Sequence, residues 1–228
     1  MYKKINFLLI GNSRLHWAEN VENNYKFFHT SQCEAFPKNF NINNIIWASV
    51  GKLPNISLKK ENQIKTKDIQ LINLPDYFGI DRAFASLAAL KTIKNPLKKN
   101  FLIADFGTTL SITKLNSKGV IIGGQICPGF LTQMRSLEIA TKNLNSPKRF
   151  KIPDIDFSIK TEEAIINGVL NSLVGLINLI FDPSKDILII CGGDSKLVEN
   201  ILKKNIHEFI IAPNLVMEGM ISHFQNLK

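Results

Sequence analysis

The sequence predicts an α/β protein made of two similar lobes, each built around a strand, a glycine-containing turn and a returning strand. Residues 101–109 form an apolar run typical of a buried strand, which ends at an acidic residue and a Gly-Thr-Thr turn. Residues 7–17 repeat this plan, with Gly11 lying 96 positions before its counterpart Gly107. An internal repeat of this kind indicates two related lobes that face each other across a cleft.

Strands and helices alternate along the rest of the chain, which is the pattern of an α/β protein. Apolar runs predict further strands at residues 25–28, 45–50, 69–72, 186–191 and 209–211, and a strand that turns into a glycine-rich corner at residues 119–129. Helical patterns cover residues 83–90, 130–144, 161–180 and 214–224, and prolines predict a loop at residues 146–157.

A boundary between the lobes is expected at residues 94–100, because Asn95-Pro96 ends the preceding helix. We therefore predict an N-terminal lobe of residues 1–97 and a C-terminal lobe of residues 98–228, with the final helix completing the second lobe.

The turn after residue 104 offers groups that can hold a phosphate and its cation. Asp105 supplies a carboxylate, Thr108 and Thr109 supply hydroxyls, and Gly107 leaves the backbone uncovered. An ordinary hairpin turn is the alternative interpretation. In the first hairpin, the position that matches Asp105 is Leu9, so that turn lacks the carboxylate.

Asp81 and Arg82 precede an alanine-rich run and are predicted to lie at a helix N-terminus. An aspartate there often serves as a helix cap. The functional alternative is that Asp81 accepts a proton, while Arg82 and the helix dipole hold an anion nearby. Thr161 has a similar pair of interpretations, since it can cap the next long helix or contact a ligand.

Composition excludes several classes of protein. The 228 residues are 45% hydrophobic and 21% charged, which is typical of a soluble globular protein. We expect no membrane-spanning segment and no signal peptide, and hence a cytoplasmic location. The three cysteines are too scattered for a disulfide framework or a zinc site. The net charge of +9 comes from dispersed lysines without a nucleic-acid-binding motif, so we expect no nucleic-acid partner.

Six motifs in order resemble those of the type III pantothenate kinases, and the first is similar to the form found in the cyanobacterial branch. They are Gly11-Asn12-Ser13, Gly79-Ile80-Asp81-Arg82, Asp105-Phe106-Gly107-Thr108, residues 123–129, Thr161 with Gly168, and Gly192-Gly193-Asp194. The resemblance implies two ribonuclease-H-like lobes, as in the superfamily of acetate kinase, sugar kinases, heat-shock chaperone ATPases and actin. It also implies a homodimer that phosphorylates pantothenate with ATP and Mg²⁺, the first step of coenzyme A synthesis.

The resemblance also assigns roles to individual residues. Asp81 would be the general base for the pantothenate hydroxyl, and Asp105 would bind a monovalent cation, either potassium or ammonium. The pantothenate site would comprise Gly79, Ile80, Asp81 and Arg82, with Thr161 contributed by the partner subunit or its edge. The ATP site would comprise Leu9, Ile10, Gly11, Asn12, Ser13, Arg14, Leu15, His16 and Thr108.

Leu9 departs from the family pattern, because most members have an aspartate there that helps to hold magnesium-ATP. The milder hypothesis is weaker metal affinity, and the more severe one is loss of kinase activity. Two alternatives therefore stay open: a non-catalytic or regulatory protein that binds ATP or pantothenate, and a kinase for another small hydroxylated substrate.

Overall fold

The computed structural model describes residues 5–22, 24–33, 36–37, 40–53, 57–147 and 150–226. These residues form two compact units, each with its own β-sheet and helices. The first unit takes the described residues of Met1–Pro96 together with Leu115–Ile121 and Asn214–Lys228, and the second takes Leu97–Lys114 and Ile122–Pro213. The chain first passes from one unit to the other between Pro96 and Leu97, beside the predicted boundary at residue 97.

The sheet of the first unit has four strands in the order β3-β2-β1-β4. Strands β1 (Asn6–Ile10) and β2 (Arg14–Val21) form the predicted antiparallel hairpin, and β3 (Asn24–Ser31) continues it. Strand β4 (Ile45–Ser49) pairs parallel to β1. Because β1 lies between two strands, all five of its residues are buried.

One face of this sheet carries an aromatic core. Its buried members are Leu8, Ile10, Leu15, Trp17, Ile45 and Trp47. The two buried indoles are also hydrogen bonded: Trp17 donates to the Thr30 hydroxyl at 3.1 Å, and Trp47 donates to the Lys59 carbonyl at 2.7 Å. Each indole therefore fixes a neighbouring segment as well as filling space.

Helices α1 (Ile80–Thr92) and α5 (Leu215–Gln225) pack together in the first unit. We expected the final helix in the second lobe, so this part of the prediction is wrong. Gly219 of α5 lies directly against the backbone of Phe84 in α1, where a β-carbon would overlap the Phe84 carbonyl group. The close approach explains how a distant segment joins the first unit, a contact that no local pattern indicates.

The sheet of the second unit has five strands in the order β7-β6-β5-β8-β9. They are β5 (Asn100–Phe106), β6 (Thr109–Leu115), β7 (Ile121–Pro128), β8 (Asp186–Cys191) and β9 (Ile210–Ile211). The parallel pairing of β5 with β8 places Asp105 beside Cys191, so the predicted acidic residue lies at the carboxyl end of a central strand.

Three helices cover this sheet: α2 (Phe130–Ala140), α3 (Thr161–Ile180) and α4 (Ser195–Leu202). By length and composition α3 could cross a membrane, with a mean hydropathy of 1.5 over its best window, contrary to our expectation from the sequence. Seven of its apolar side chains are buried in the core of the unit, and 39% of that window is buried in all.

Three local predictions were wrong. Residues 69–72 form no strand, since Ile72 makes only an isolated bridge to Val120. The glycine-rich corner predicted within residues 119–129 is instead the body of β7, where Gly123 has a φ of +152° that disfavours other residues. Thr161 is the first residue of α3, and its N-cap is Lys160.

The contact between α1 and α5 predicts that Gly219→Ala destabilises the protein by about 1–3 kcal/mol, the usual cost of overpacking a core. Gly175→Ala is the matched control, because a β-carbon there meets nothing within 4 Å. Replacing this helical glycine should be neutral or stabilising by up to about 1 kcal/mol. Chemical unfolding measures both, and equal stabilities for the two variants would contradict the packing described.

Candidate active site

The β1–β2 turn, the first candidate phosphate-binding element, is held by hydrogen bonds from both sides. Gly11 N donates to the Arg14 carbonyl at 2.9 Å, and Gln32 Nε2 donates to the Gly11 carbonyl at 2.7 Å. Gly51, just after β4, lies so close that a β-carbon would overlap the Gly11 carbonyl. The turn is therefore fixed without any ligand.

The nine residues predicted to bind ATP differ in exposure. Asn12, Ser13, Arg14 and Thr108 are exposed, Gly11 and His16 are half-buried, and Leu9, Ile10 and Leu15 are buried. The buried three can reach a ligand only through their backbone. Leu9 is 5% exposed within the sheet, so its side chain serves packing and supplies no metal ligand.

His16 lies beside this turn in an unusual electrostatic setting. It pairs across the hairpin with Leu9 on one side and with His29 on the other, and its Nε2 lies close to Gly11. Burial, followed by His29 and Arg14, lowers the pKa of His16 to about 4. The imidazole is therefore neutral near pH 7 and can both donate and accept a hydrogen bond.

Asp81 is the second residue of α1, after Gly79 as N-cap, so it does not occupy the cap position itself. Its Oδ1 accepts a hydrogen bond from the Arg82 backbone N–H at 2.8 Å. Burial raises the pKa of the Asp81 carboxyl, while the backbone N–H groups and the Arg82 charge act against this rise. A raised pKa makes the carboxylate a better proton acceptor.

The segment before α1 borders a cavity of about 320 Å³. Phe78 carries two contacts there: its carbonyl accepts a 2.9 Å hydrogen bond from the Thr66 hydroxyl, and its ring lies 4.2 Å from the Arg82 guanidinium carbon. The cavity is lined by Ser49, Val50, Gln63, Ile64, Lys65, Thr66, Asp76, Phe78, Gly79 and Ile80. Thus the end of β4 adjoins both the Gly11 turn and the start of α1.

In the second unit, the turn between β5 and β6 brings Asp105 and Thr108 together. The Thr108 carbonyl accepts hydrogen bonds from Gly129 N at 3.0 Å and from the Thr132 hydroxyl at 2.6 Å. Gly192, with a φ of +86°, lies against Asp105, where a β-carbon would overlap Oδ1. The carboxylate is therefore held against backbone that only glycine allows.

Asp105 supplies the carboxylate oxygens at this turn. Among the described residues, no three His, Cys, Asp or Glu side chains come together as a metal cluster. A single carboxylate and turn carbonyls offer oxygen ligands but little negative charge.

Thr161 is exposed at the start of α3, in the second unit with Asp105, whereas Asp81 belongs to the first. Two apolar side chains just before it are uncovered, with Phe157 96% and Ile159 103% exposed. Sequence reasoning found the acidic residues but missed Thr66, Gln32 and the role of Gly192. Their partners are distant in sequence or lie in a turn, so no local pattern indicates them.

Comparison with known families decides the assignment. A sequence model described as type III pantothenate kinase matches residues 55–182, more than half of the chain and the stretch that includes both Asp81 and Asp105. The chain belongs to the type III pantothenate kinase family. Its activity is accordingly the phosphorylation of pantothenate in coenzyme A biosynthesis, with ATP as the nucleotide substrate and Mg²⁺ as its counterion.

Individual relatives agree with this membership. The chain is 29% identical to a type III pantothenate kinase from Synechocystis sp., over 93% of this chain and 87% of the relative. It is 28% identical to one from Porphyromonas gingivalis, over 62% of this chain and 59% of the relative. It is also 30% identical to one from Thermosipho africanus, over 75% of this chain and 67% of the relative.

Solved structures confirm the fold class. A Campylobacter jejuni protein described as a Baf family transcriptional activator has a TM-score of 0.67 at 21% identity, covering 98% of both chains. An archaeal actin homologue in complex with ADP has a TM-score of 0.52 at 13% identity, covering 99% of both chains. These likenesses show the fold alone, a mixed α/β fold that this chain shares with the two structures.

The setting of His16 predicts a pH dependence of this kinase. The unfolded imidazole binds a proton below pH 6.5 and the folded one only near pH 4, so the free energy of unfolding should fall as the pH drops through that window. NMR titration of His16 should give a midpoint near 4.

His16→Gln should flatten the pH dependence without abolishing it, because burial also lowers the pKa of His223. A His16 midpoint near 6.5, the ordinary value, would contradict the burial of this ring.

Proposed function

We propose that Asp81 is the general base of this pantothenate kinase and that Arg82 holds the substrate carboxylate. The observation that carries the proposal is the setting of Asp81, a partly buried carboxyl with a raised pKa at the N-terminus of α1, next to a cationic side chain. The adjoining cavity of about 320 Å³ has a mixed polar and apolar lining, which suits a small hydroxylated amide acid.

In the proposed reaction, the Asp81 carboxylate takes the proton of the 4′-hydroxyl of pantothenate. The hydroxyl oxygen forms a bond to the γ-phosphorus of ATP as the bond between that phosphorus and the β–γ bridging oxygen breaks. ADP leaves with the bond's electron pair. Positioning and charge neutralisation supply most of the rate in such transfers, so a fixed base and a fixed cation are the contributions expected of the protein.

The Gly11 turn and Thr108 are proposed to hold the ATP phosphates. Asn12, Ser13 and Arg14 are exposed at the first turn, where backbone N–H groups and one cation can meet an anion. Thr108 occupies the matching turn in the second unit, with its carbonyl already bonded and its side chain exposed. His16, neutral beside Gly11, can donate to a phosphate oxygen without adding charge.

Asp105 is proposed to bind potassium or ammonium. A bound monovalent cation supplies positive charge beside the phosphates. The fixed position of the Asp105 carboxylate against Gly192 supports this role, because a weakly bound ion needs ligands that are already in place.

We further propose a cytoplasmic homodimer in which Thr161 contacts pantothenate from the partner subunit or its edge. The exposed apolar side chains of Phe157 and Ile159, just before Thr161, support a face that is covered by another copy. Cell fractionation tests the location, and recovery with membranes would refute it.

Asp81→Asn should lower kcat by about 10²–10⁴-fold, the usual contribution of a general base, and leave the fold intact. Steady-state kinetics with purified protein measures the loss, and thermal unfolding checks the fold. A kcat near the wild-type value would refute the role of Asp81.

Cation titrations test the metal assignments together. Leu9→Asp should lower the magnesium concentration needed for half-maximal rate, and the uncharged Leu9→Asn is its matched control. Asp105→Asn should raise the ATP KM and weaken the response to potassium over sodium. If Leu9→Asp and Leu9→Asn behave alike, residue 9 has no part in metal binding, and an unchanged potassium response removes the role of Asp105.

The dimer predicts that Phe157→Asp lowers the mass measured by sedimentation equilibrium from two subunits towards one. Leu53→Asp is the control, because Leu53 is a 60% exposed apolar residue of the first unit. A wild-type mass of one subunit at micromolar concentration would contradict the dimer.

A non-catalytic protein that binds ATP or pantothenate is the second candidate, and Leu9 is the observation that favours it. Binding of pantothenate without turnover, across the magnesium and potassium series, would establish it in place of the kinase. A screen of other small hydroxylated substrates with ATP separates both from a kinase of different specificity.

A further inference from the structure

Phe78 joins two contacts that converge on the start of α1. Its carbonyl accepts a 2.9 Å hydrogen bond from the Thr66 hydroxyl, and its ring centroid lies 4.2 Å from the guanidinium carbon of Arg82. Gly79, the N-cap of α1, follows Phe78 directly. The backbone of the segment and the Arg82 side chain are thus fixed by the same residue.

The contact with the Phe78 ring is one of the interactions that order the Arg82 side chain. Arginine loses up to about 2 kcal/mol of rotamer freedom when it is ordered. A guanidinium over an aromatic face gains about 0.5–2 kcal/mol, the larger values applying where water is partly excluded. Arg82 is partly buried, and burial lowers the pKa of its guanidinium while Asp81 raises it. The ring thus contributes to ordering Arg82 before a substrate binds.

We propose that Phe78, anchored through its carbonyl by Thr66, is a positioning residue that holds the Arg82 guanidinium ready for the carboxylate of pantothenate. The inference rests on the proposed function, in which Arg82 meets that carboxylate. A guanidinium has five N–H donors in a planar fork, so one held over an aromatic ring can still donate a pair of hydrogen bonds to a carboxylate.

The hydrogen bond from Thr66 fixes the backbone of Phe78 and so supports the position of its ring. Thr66 begins a short 3-10 turn, Thr66–Asp68, which is closed by a 2.8 Å hydrogen bond from Lys65 N to the Asp68 carboxylate. The hydroxyl therefore comes from a segment that is itself fixed. Both Thr66 and Phe78 also line the cavity beside Gly79 and Ile80.

A positioning role has a kinetic signature that a purely structural role lacks. Pantothenol carries a hydroxymethyl group in place of the carboxylate but keeps the hydroxyl that is phosphorylated. Loss of Arg82 positioning should therefore raise the KM for pantothenate by more than the KM for pantothenol. General damage to the segment would raise the KM for both substrates equally.

The test compares Phe78→Leu with wild type for both substrates. Phe78→Leu should raise the pantothenate KM by about 2- to 30-fold, as loss of a cation–π contact implies. Its kcat and its ATP KM should not change, and its kcat/KM for pantothenol should fall by less than that for pantothenate, because the ring also lines the cavity proposed for both substrates. Phe78→Tyr, which keeps the aromatic face, should retain the wild-type KM. Thr66→Val should raise the pantothenate KM in the same direction, and Thr66→Ser should restore it.

Tyr77→Leu is the matched control, because it removes a neighbouring ring that is 91% exposed. It should leave the pantothenate KM unchanged. Equal losses for pantothenate and pantothenol, a rise in the ATP KM alone, or a fall in kcat alone would each overturn the proposal. If Phe78→Leu fails to fold, the Thr66 pair decides the question.

Failure of the proposed function gives a different result. In that case the wild-type protein turns over neither substrate, and calorimetric titration replaces kinetics as the readout. A greater loss of binding for pantothenate than for pantothenol in Phe78→Leu would still support the positioning role. Unchanged binding of both would overturn it.

Discussion

The close approach of glycine backbones to two turns is the constraint on which the rest of the site depends. In the first unit, Gly51 lies against the Gly11 carbonyl, and in the second, Gly129 and Gly192 lie against the turn that carries Asp105. A β-carbon at any of these positions would collide with the turn behind it. Removing the side chain lets hydrogen bonds fix both turns in the protein itself, so that little reorganisation remains when an anion binds.

The two units carry different candidate groups. The first has Asp81, the base of the proposed reaction, with Arg14 and Arg82, and the second has a carboxylate and a hydroxyl at Asp105 and Thr108. Because phosphoryl transfer depends on placing charge rather than on forming intermediates with the protein, such a division needs few chemically active side chains. The contacts that hold the two turns and the start of α1 then determine how accurately these side chains are placed. Most of these contacts are hydrogen bonds to backbone carbonyls.

Local patterns predicted much of this structure. Strand β8 has the predicted bounds, 186–191, because it is a continuous apolar run flanked by turn residues. Asp105 could be found because it ends an apolar strand pattern, and Asp81 because it precedes a helical pattern. By contrast, the packing of α5 on α1 depends on Gly219 meeting a backbone far away in the sequence. The hydrogen bond from Thr66 to Phe78 is likewise specified by tertiary structure and by no sequence period.

Leu9 pairs with His16 across the β1–β2 hairpin, so the charge of the side chain at position 9 affects the protonation of His16. Directly opposed residues on an antiparallel pair share one face of the sheet, with β-carbons about 4.5–5.5 Å apart. An aspartate at position 9 would favour a protonated imidazole at position 16, whereas leucine favours a neutral one. Evolution at these two sites is thus expected to be correlated: a lineage that exchanges an acid for an aliphatic residue at position 9 also relaxes the demand for a basic partner at position 16.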